Sequence, residues 1–112
     1  MYTVIRKYYV IPGRGDELMR RVQEDIVPIL NQVPGFQAYY ALQAGRDKVI
    51  TMSLFDTCAD AREAGRQTAA WIAEHAAWFF HGLPEVMAGE VQVHSELIHA
   101  LPLQEEPLQG VF

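Results

Sequence analysis

One predicted helix places a histidine between two tryptophans. At about 100° per residue, Trp71, His75 and Trp78 share one broad apolar face. An imidazole in such surroundings resists protonation and could act as a base, a hydrogen-bond donor or an axial metal ligand. The pattern therefore indicates His75 as a catalytic residue, and Trp71 and Trp78 as ligand-binding residues. The alternative is a core histidine bonded to the backbone, beside two tryptophans that fill a small core.

An arginine lies in the middle of an apolar strand. Arg6 shares its strand face with Val4 and Tyr8, and a half-buried guanidinium needs an anionic or carbonyl partner. If helices cover this face, Arg6 is a candidate catalytic residue that holds a carboxylate or enolate, and Tyr8 is a candidate ligand-binding residue. The structural alternative is an ion pair with Glu90 or Glu96. Tyrosines also occur on both faces of the predicted strands, where core or interface packing explains most of them.

The sequence lacks the motifs that are typical of several kinds of active or binding site. No histidine has an acid or a cysteine at metal-ligand spacing, and no glycine-rich phosphate loop or nucleophile elbow occurs. We therefore expect neither a metal site nor a cofactor. The net charge of −5 argues against nucleic acid as a partner. The absence of long apolar runs and of signal-peptide features, with the lone Cys58, favours a cytoplasmic protein that does not enter membranes.

A length of 112 residues predicts one small domain that begins with a strand and a helix. Residues 2–11 are dense in Tyr, Val and Ile, and Pro12-Gly13 ends this strand. Apolar residues then recur every three or four positions from Asp16, the expected N-cap, to Pro34-Gly35. Because Pro28 removes a backbone hydrogen bond inside this stretch, we expect one bent helix.

The remaining elements are a hairpin, a second helix and a last strand. Thr57 and Asp60 are spaced like a capping box, which marks the start of the second helix. The predicted elements are strands over 36–43 and 48–55, a helix over about 59–80 and a strand within 86–97.

The order strand, helix, strand, strand, helix, strand predicts an α+β fold of the ferredoxin-like type, with a four-stranded antiparallel sheet and both helices on one face. The sheet carries apolar or aromatic residues on both faces, for example Val4, Tyr8 and Val10 on one and Ile5, Tyr9 and Ile11 on the other. The helices cover only one face. A second copy of the chain is the simplest cover for the other, so we expect a homodimer packed sheet to sheet.

The chain resembles the dimeric α+β barrel superfamily and, within it, the antibiotic-biosynthesis-monooxygenase-like domains. The resemblance rests on strand order, length, Pro34-Gly35-Phe36 before the second strand, and Ser53-Leu54-Phe55-Asp56 before the second helix. It implies a dimeric α+β barrel domain over residues 1–97, with a ligand between the sheet and the helices. Residues 98–112, with two prolines, are expected to form an extended tail.

The resemblance implies a monooxygenase-like function without assigning a substrate. The first hypothesis is a cofactor-independent oxygenase or an isomerase for a small aromatic or enolisable molecule. The alternatives are a non-catalytic dimeric protein that binds a small ligand, or a dimeric scaffold. The sequence leaves open whether the protein is an enzyme.

The residues that haem degradation needs in this superfamily can be compared with those of this sequence. The haem-degrading members use an asparagine on the first strand, and a tryptophan and a histidine on the second helix. Arg6 occupies the asparagine position, Ala64 stands at the tryptophan position, and His75 is one position from the histidine. Haem degradation is therefore disfavoured, whereas simple haem binding stays open.

Overall fold

A computed structural model describes residues 1–97, so the extended tail predicted over 98–112 lies outside the described residues. The elements are β1 (Tyr2–Tyr9), α1 (Gly15–Arg21), a π-helical segment (Val22–Ile26), α2 (Val27–Asn31), β2 (Phe36–Gln43), β3 (Lys48–Phe55), α3 (Cys58–His75), a 3-10 turn (Ala77–Phe79) and β4 (Glu85–Glu90).

The four strands form one antiparallel sheet in the order β2-β3-β1-β4. The helices α2 and α3 pack on this sheet, which confirms the predicted ferredoxin-like α+β fold. The hairpin of β2 and β3 also has its predicted bounds. Because the middle strands β3 and β1 are not consecutive, the sheet brings the start of the chain beside residues some fifty positions later.

Strand alternation assigns each side chain to one face of the sheet. Arg6 is opposite Thr51 in the β1–β3 register, and Val4 is opposite Ser53, so these residues share the helix-covered inner face. The alternation in β3 is regular: Val49, Thr51, Ser53 and Phe55 are buried, and the residues between them are partly exposed. The inner face of the central strands therefore holds polar as well as apolar groups.

The first helical run is continuous from Gly15 to Asn31, but its middle is π-helical. Pro28 lacks the amide hydrogen that would bond to the carbonyl of Glu24, and the wider π-helical segment, which contains Glu24, ends two residues before Pro28. The predicted disruption of the helix by Pro28 thus takes the form of a π-helical segment. The expected N-cap was wrong, because the helix begins at Gly15 and the Asp16 carboxylate instead accepts a hydrogen bond from Gln43 at 3.4 Å.

The second helix begins as predicted but ends early. The Thr57 hydroxyl accepts a hydrogen bond from the Asp60 amide at 3.1 Å, the N-cap contact of a capping box. The predicted end at Phe80 was wrong. Ala76 leaves the helical region at φ −143°, ψ 12°, and the chain turns so that Phe79 is fully buried.

The last strand is shorter than predicted, ending at Glu90 rather than Leu97. A strand extends only as far as its partner, and β4 pairs with β1 alone. Tyr2 is opposite Glu90, and the Val91 amide bonds to the Met1 carbonyl at 2.9 Å. Because β1 begins at Tyr2, the alternating residues of the chain after Val91 have no backbone partner in β1.

The core consists of two apolar clusters. The first is Val4, Ile26, Leu30, Val33, Phe55, Ala61 and Ala64, and the second is Val10, Leu18, Val49, Ala76 and Phe79. Trp71 and Val22 pack against both clusters. The boundary between the clusters is where the sheet and helices leave space.

Candidate functional site

A narrow cavity of about 40 Å³ lies between the inner face of the sheet and the helices. We call it the inner cavity. Its wall includes Arg6, Tyr8 and Tyr39 from the strands, Trp71 from α3, and residues of both core clusters. Val22 and Ile26 of the π-helical segment also line it. The cavity is therefore mostly apolar, with polar groups from the sheet.

A wider space of about 320 Å³, the outer groove, adjoins the inner cavity. The residues common to both walls are Arg6, Tyr8, Gly65, Thr68, Ile72 and Phe80. The outer groove continues past small residues of α3 to the loop that contains Leu83. Inner cavity and outer groove therefore form one site that narrows toward the sheet.

Arg6 is positioned where the two spaces meet. Within residues 1–97, no carboxylate lies at ion-pair distance from its guanidinium. The two acids considered from the sequence are placed elsewhere: Glu90 is 3.6 Å from the N-terminal amine, and Glu96 is 3.9 Å from His94. Arg6 therefore lines both spaces, and it forms neither of the two alternative ion pairs, with Glu90 or with Glu96, in the described part of the chain.

A second arginine in the wall has a different environment. Arg21 donates to Asp25 at 3.1 Å, and its guanidinium lies 5.3 Å from the centre of the Trp71 ring. The charge of Arg21 is therefore already compensated. Trp71 lines the inner cavity, and its predicted role in ligand binding stays a prediction.

Two tyrosines, Tyr8 of β1 and Tyr39 of β2, also contribute polar groups to the wall, from the two strands that flank β3. Burial raises the pKa of Tyr39 to about 12, and Tyr8 adds to the rise, while Arg6 and the Thr51 hydroxyl oppose it. Burial also raises the pKa of Tyr8, against the effect of Arg6. Both phenols are therefore protonated at neutral pH and can donate hydrogen bonds to a bound oxygen.

His75 is not among the residues that line either space. The prediction that it lies on a buried face was wrong, since 48% of its side chain is exposed. His75 is the last residue of α3, and the neighbouring Ala76 takes the buried place. Its imidazole contacts the Trp71 ring with 5.3 Å between centroids, and its Nε2 is 3.6 Å from the Glu74 carboxylate.

Trp78 is also outside the wall. The helical spacing that placed it beside His75 does not apply, because Trp78 belongs to the 3-10 turn after α3. The residue is 47% exposed. Its ring stacks on that of Phe79 with 3.9 Å between centroids, and the Arg14 guanidinium lies 4.8 Å from the centre of the Trp78 ring. The predicted pocket position of Trp78 was therefore wrong.

Sequence reasoning missed three residues of the site. Tyr39 is one of five tyrosines in the predicted strands, and no sequence pattern distinguishes it from the other four. Thr51 offered a weak signal, a small polar residue on the buried parity of a strand. Gly65 offered a stronger one, because glycine inside a helix is unfavourable without a packing reason.

Two features are absent from the described part of the chain, a cluster of metal ligands and a membrane-spanning helix. Among residues 1–97, no three histidine, cysteine or acidic side chains come together as metal ligands would. No helix in this part of the chain has the length and apolar character needed to span a membrane.

Known structures share this fold at low sequence identity. A protein of unknown function from Nitrosomonas europaea, NE2512, is 20% identical, with a TM-score of 0.71 over 88% of this chain and 95% of its own. The monooxygenase from the ActVA-Orf6 gene of Streptomyces coelicolor, solved with nanaomycin D, is 12% identical. Its TM-score is 0.70 over 87% of this chain and 92% of its own.

SnoaB, a cofactor-independent oxygenase from Streptomyces nogalater, is also 12% identical, with a TM-score of 0.65 over 83% of this chain and 94% of its own. Such identities establish the fold alone. Comparison with curated protein sequences gave no match. The family model for antibiotic biosynthesis monooxygenase matches residues 1–77, which include β1 to α3 and most of the wall described above. By this match, the chain belongs to the antibiotic biosynthesis monooxygenase family.

Proposed function

We propose that this protein is a cofactor-independent monooxygenase for a small aromatic or enolisable molecule, bound where the inner cavity meets the outer groove. The observation that carries the proposal is the Arg6 guanidinium, which has no acidic partner in residues 1–97 and lies in a mostly apolar wall beside two protonated tyrosines. A cation in such a place is available to bind an oxyanion of the ligand.

The chemistry follows from stabilising an anion. Arg6 favours the enolate or phenolate form of the substrate, which forms by loss of a proton to water, and Tyr8 and Tyr39 donate hydrogen bonds to its oxygen. The electron-rich carbon then reacts with dioxygen. When a methylene carbon becomes a carbonyl, one oxygen atom stays on the substrate and the other leaves as water, so the substrate itself supplies all the electrons.

The family and the fold support this class of reaction. SnoaB is described as a cofactor-independent oxygenase, and the ActVA-Orf6 monooxygenase was solved in complex with the ligand nanaomycin D. An isomerase would use the same anion but would consume no dioxygen. We give His75 no catalytic part in this proposal, because it lies at the exposed end of α3 and outside the wall.

We also propose that the working form is a homodimer. The outer face of the sheet carries exposed apolar residues, among them Tyr40 (57%), Leu42 (51%) and Met87 (68%). In the register of the sheet, Tyr40 is opposite Met52 and Leu42 is opposite Ile50, so the apolar surface is continuous across strands. A second copy packed on this face would remove it from water.

The test is dioxygen consumption by purified protein with anthrone, an enolisable aromatic ketone with a methylene carbon. We expect one dioxygen per substrate, with no added flavin, haem or metal and no effect of a chelator. Arg6→Met should lower the rate about a hundredfold, the scale of one lost oxyanion contact. Lys7→Met, which removes a neighbouring cation from the outer face, is the control and should keep the rate.

Two outcomes would contradict the proposal. Consumption that begins only after a cofactor is added would show a different reaction class. An undiminished rate in Arg6→Met would show that the guanidinium does not stabilise the reacting anion.

A further inference from the structure

Gly65 makes room for the Arg6 guanidinium. It lies in the interior of α3, an 18-residue helix, where alanine would be the more stable choice. A Cβ atom on Gly65 would stand 2.8 Å from Arg6 Nη2, closer than carbon and nitrogen can pack. The contact is with the end of a flexible side chain, so a larger residue would displace the guanidinium and leave the helix in place.

The inner cavity and the outer groove differ in volume, so they fit different parts of a ligand. One water-sized position needs roughly 15 Å³, so a cavity of about 40 Å³ has room for a small polar head group and not for a ring system. The outer groove, at about 320 Å³, is large enough for rings. Since Arg6 borders both, a charged head at Arg6 places the remainder of the ligand in the outer groove.

The wall of the outer groove fits an apolar ligand body. Beyond the shared residues it is formed by Ala69, Ala73, Ala77, Gly82, Leu83 and Pro84. None of these side chains carries a hydrogen-bonding group, so little in this outer part would compensate a polar ligand for its lost hydration.

From these observations we infer that Gly65 is a positioning residue, which holds open the place of Arg6 so that the site binds apolar-bodied monoanions head first. The inference rests on the binding site of the proposed function and adds to it a ligand class and an orientation. The class is aromatic acids and other ring systems with one anionic oxygen group, with that group at Arg6 and the rings in the outer groove.

The first experiment measures charge selection by calorimetry. The probes are 2-naphthoate and its neutral isostere 2-naphthamide, and the variants are Gly65→Ala and the control Gly89→Ala, where a Cβ would meet open space. We expect the native protein and Gly89→Ala to bind 2-naphthoate at least about tenfold more tightly than the amide, as for a charge-assisted hydrogen bond. Gly65→Ala should lose most of that ratio with no fall in its melting temperature.

Equal affinity of the native protein for the two probes would overturn the inference, as would failure to bind either. An unchanged ratio in Gly65→Ala would also overturn it, because the ratio reports the position of the guanidinium and a purely structural glycine would leave it unmoved.

The second experiment tests orientation. Ala73 lines the outer groove and not the inner cavity, and its side chain is exposed, so Ala73→Phe should fill the groove without disturbing the core. We expect 2-naphthoate to lose at least about tenfold in affinity while the smaller benzoate loses less than about threefold. Equal losses for the two acids would contradict head-first binding.

These results are separable from the proposed oxygenase activity. Anion selection without dioxygen consumption would support the inference and contradict the oxygenase. Turnover with equal affinity for acid and amide would do the reverse.

Discussion

Arg6 on β1 and Gly65 on α3 approach each other so closely that a Cβ on Gly65 would lie 2.8 Å from the guanidinium. The helix thus accepts a glycine where the strand presents a long cation. Arg6 lies between Val4, in the core, and Tyr8, which lines the cavity. In the described part of the chain no acid compensates its charge, which is costly for folding and useful for binding an anion.

Replacing Arg6 should separate stability from function. We expect Arg6→Met to leave the free energy of unfolding within about 1 kcal/mol of the native value, or to raise it, because the change removes an uncompensated charge and retains an apolar stem. Urea denaturation measures this. A loss well above that size would indicate that Arg6 has a structural partner.

The buried Tyr39 phenol should make the protein less stable in alkali. Its pKa is about 12 in the folded protein, against an ordinary value of 10.0 for the phenol in the unfolded chain, so the unfolded chain loses this proton first as the pH rises. Stability should therefore be complete below about pH 10 and fall between about pH 10 and 12, by up to about 2 kcal/mol.

Denaturation across this pH range, with Tyr39→Phe and the control Tyr40→Phe, tests that dependence. Tyr40 is the sequence neighbour of Tyr39 on the opposite, exposed side of the strand. Of the two variants, only Tyr39→Phe should reduce the fall in unfolding free energy between about pH 10 and 12. An equal effect in the two variants would contradict the assignment to Tyr39.

Removing the cap of α3 should destabilise the fold. Thr57→Ala deletes the hydroxyl that accepts from the Asp60 amide and should cost about 1 kcal/mol in unfolding free energy. Thr68→Ala is a control on the same helix, because that hydroxyl only bonds back to carbonyls of the preceding turn, such as that of Ala64. It should be neutral or stabilising, since alanine is the better helix former.

A charge on the outer face of the sheet should prevent dimer formation. Met52→Lys puts an ammonium at the centre of the apolar surface that also includes Tyr40, and a buried unpaired charge is strongly unfavourable. Sedimentation should show a dimer for the native protein and a monomer for Met52→Lys. Gln32→Lys, on an exposed residue at the end of α2, should remain dimeric.

His75 should be dispensable for turnover. His75→Gln keeps a polar side chain at the exposed end of α3, and the imidazole lies outside both spaces, so the rate should change by less than about threefold. The pH–rate profile should also keep its shape. A large loss of rate would restore the catalytic role expected from the sequence.

Local patterns predicted the elements well where short-range interactions decide them. The bounds of β2 and β3, the Thr57 cap and the effect of Pro28 follow from alternation, capping and a missing amide hydrogen, all of which involve near neighbours. The errors lie at the ends of elements. The end of α3 is set by the packing of Phe79, and the end of β4 by the length of β1.

The sequence by itself determined the α+β fold, the family resemblance and the presence of a cation inside a strand, because periodicity and residue type are local properties. Only the tertiary structure decided which side chains meet. It brought Arg6 beside Gly65 and Tyr39 and moved His75 and Trp78 out of the wall, because these relationships depend on strand register and on where a helix ends. Such contacts join residues far apart in the chain, and no short-range pattern records them.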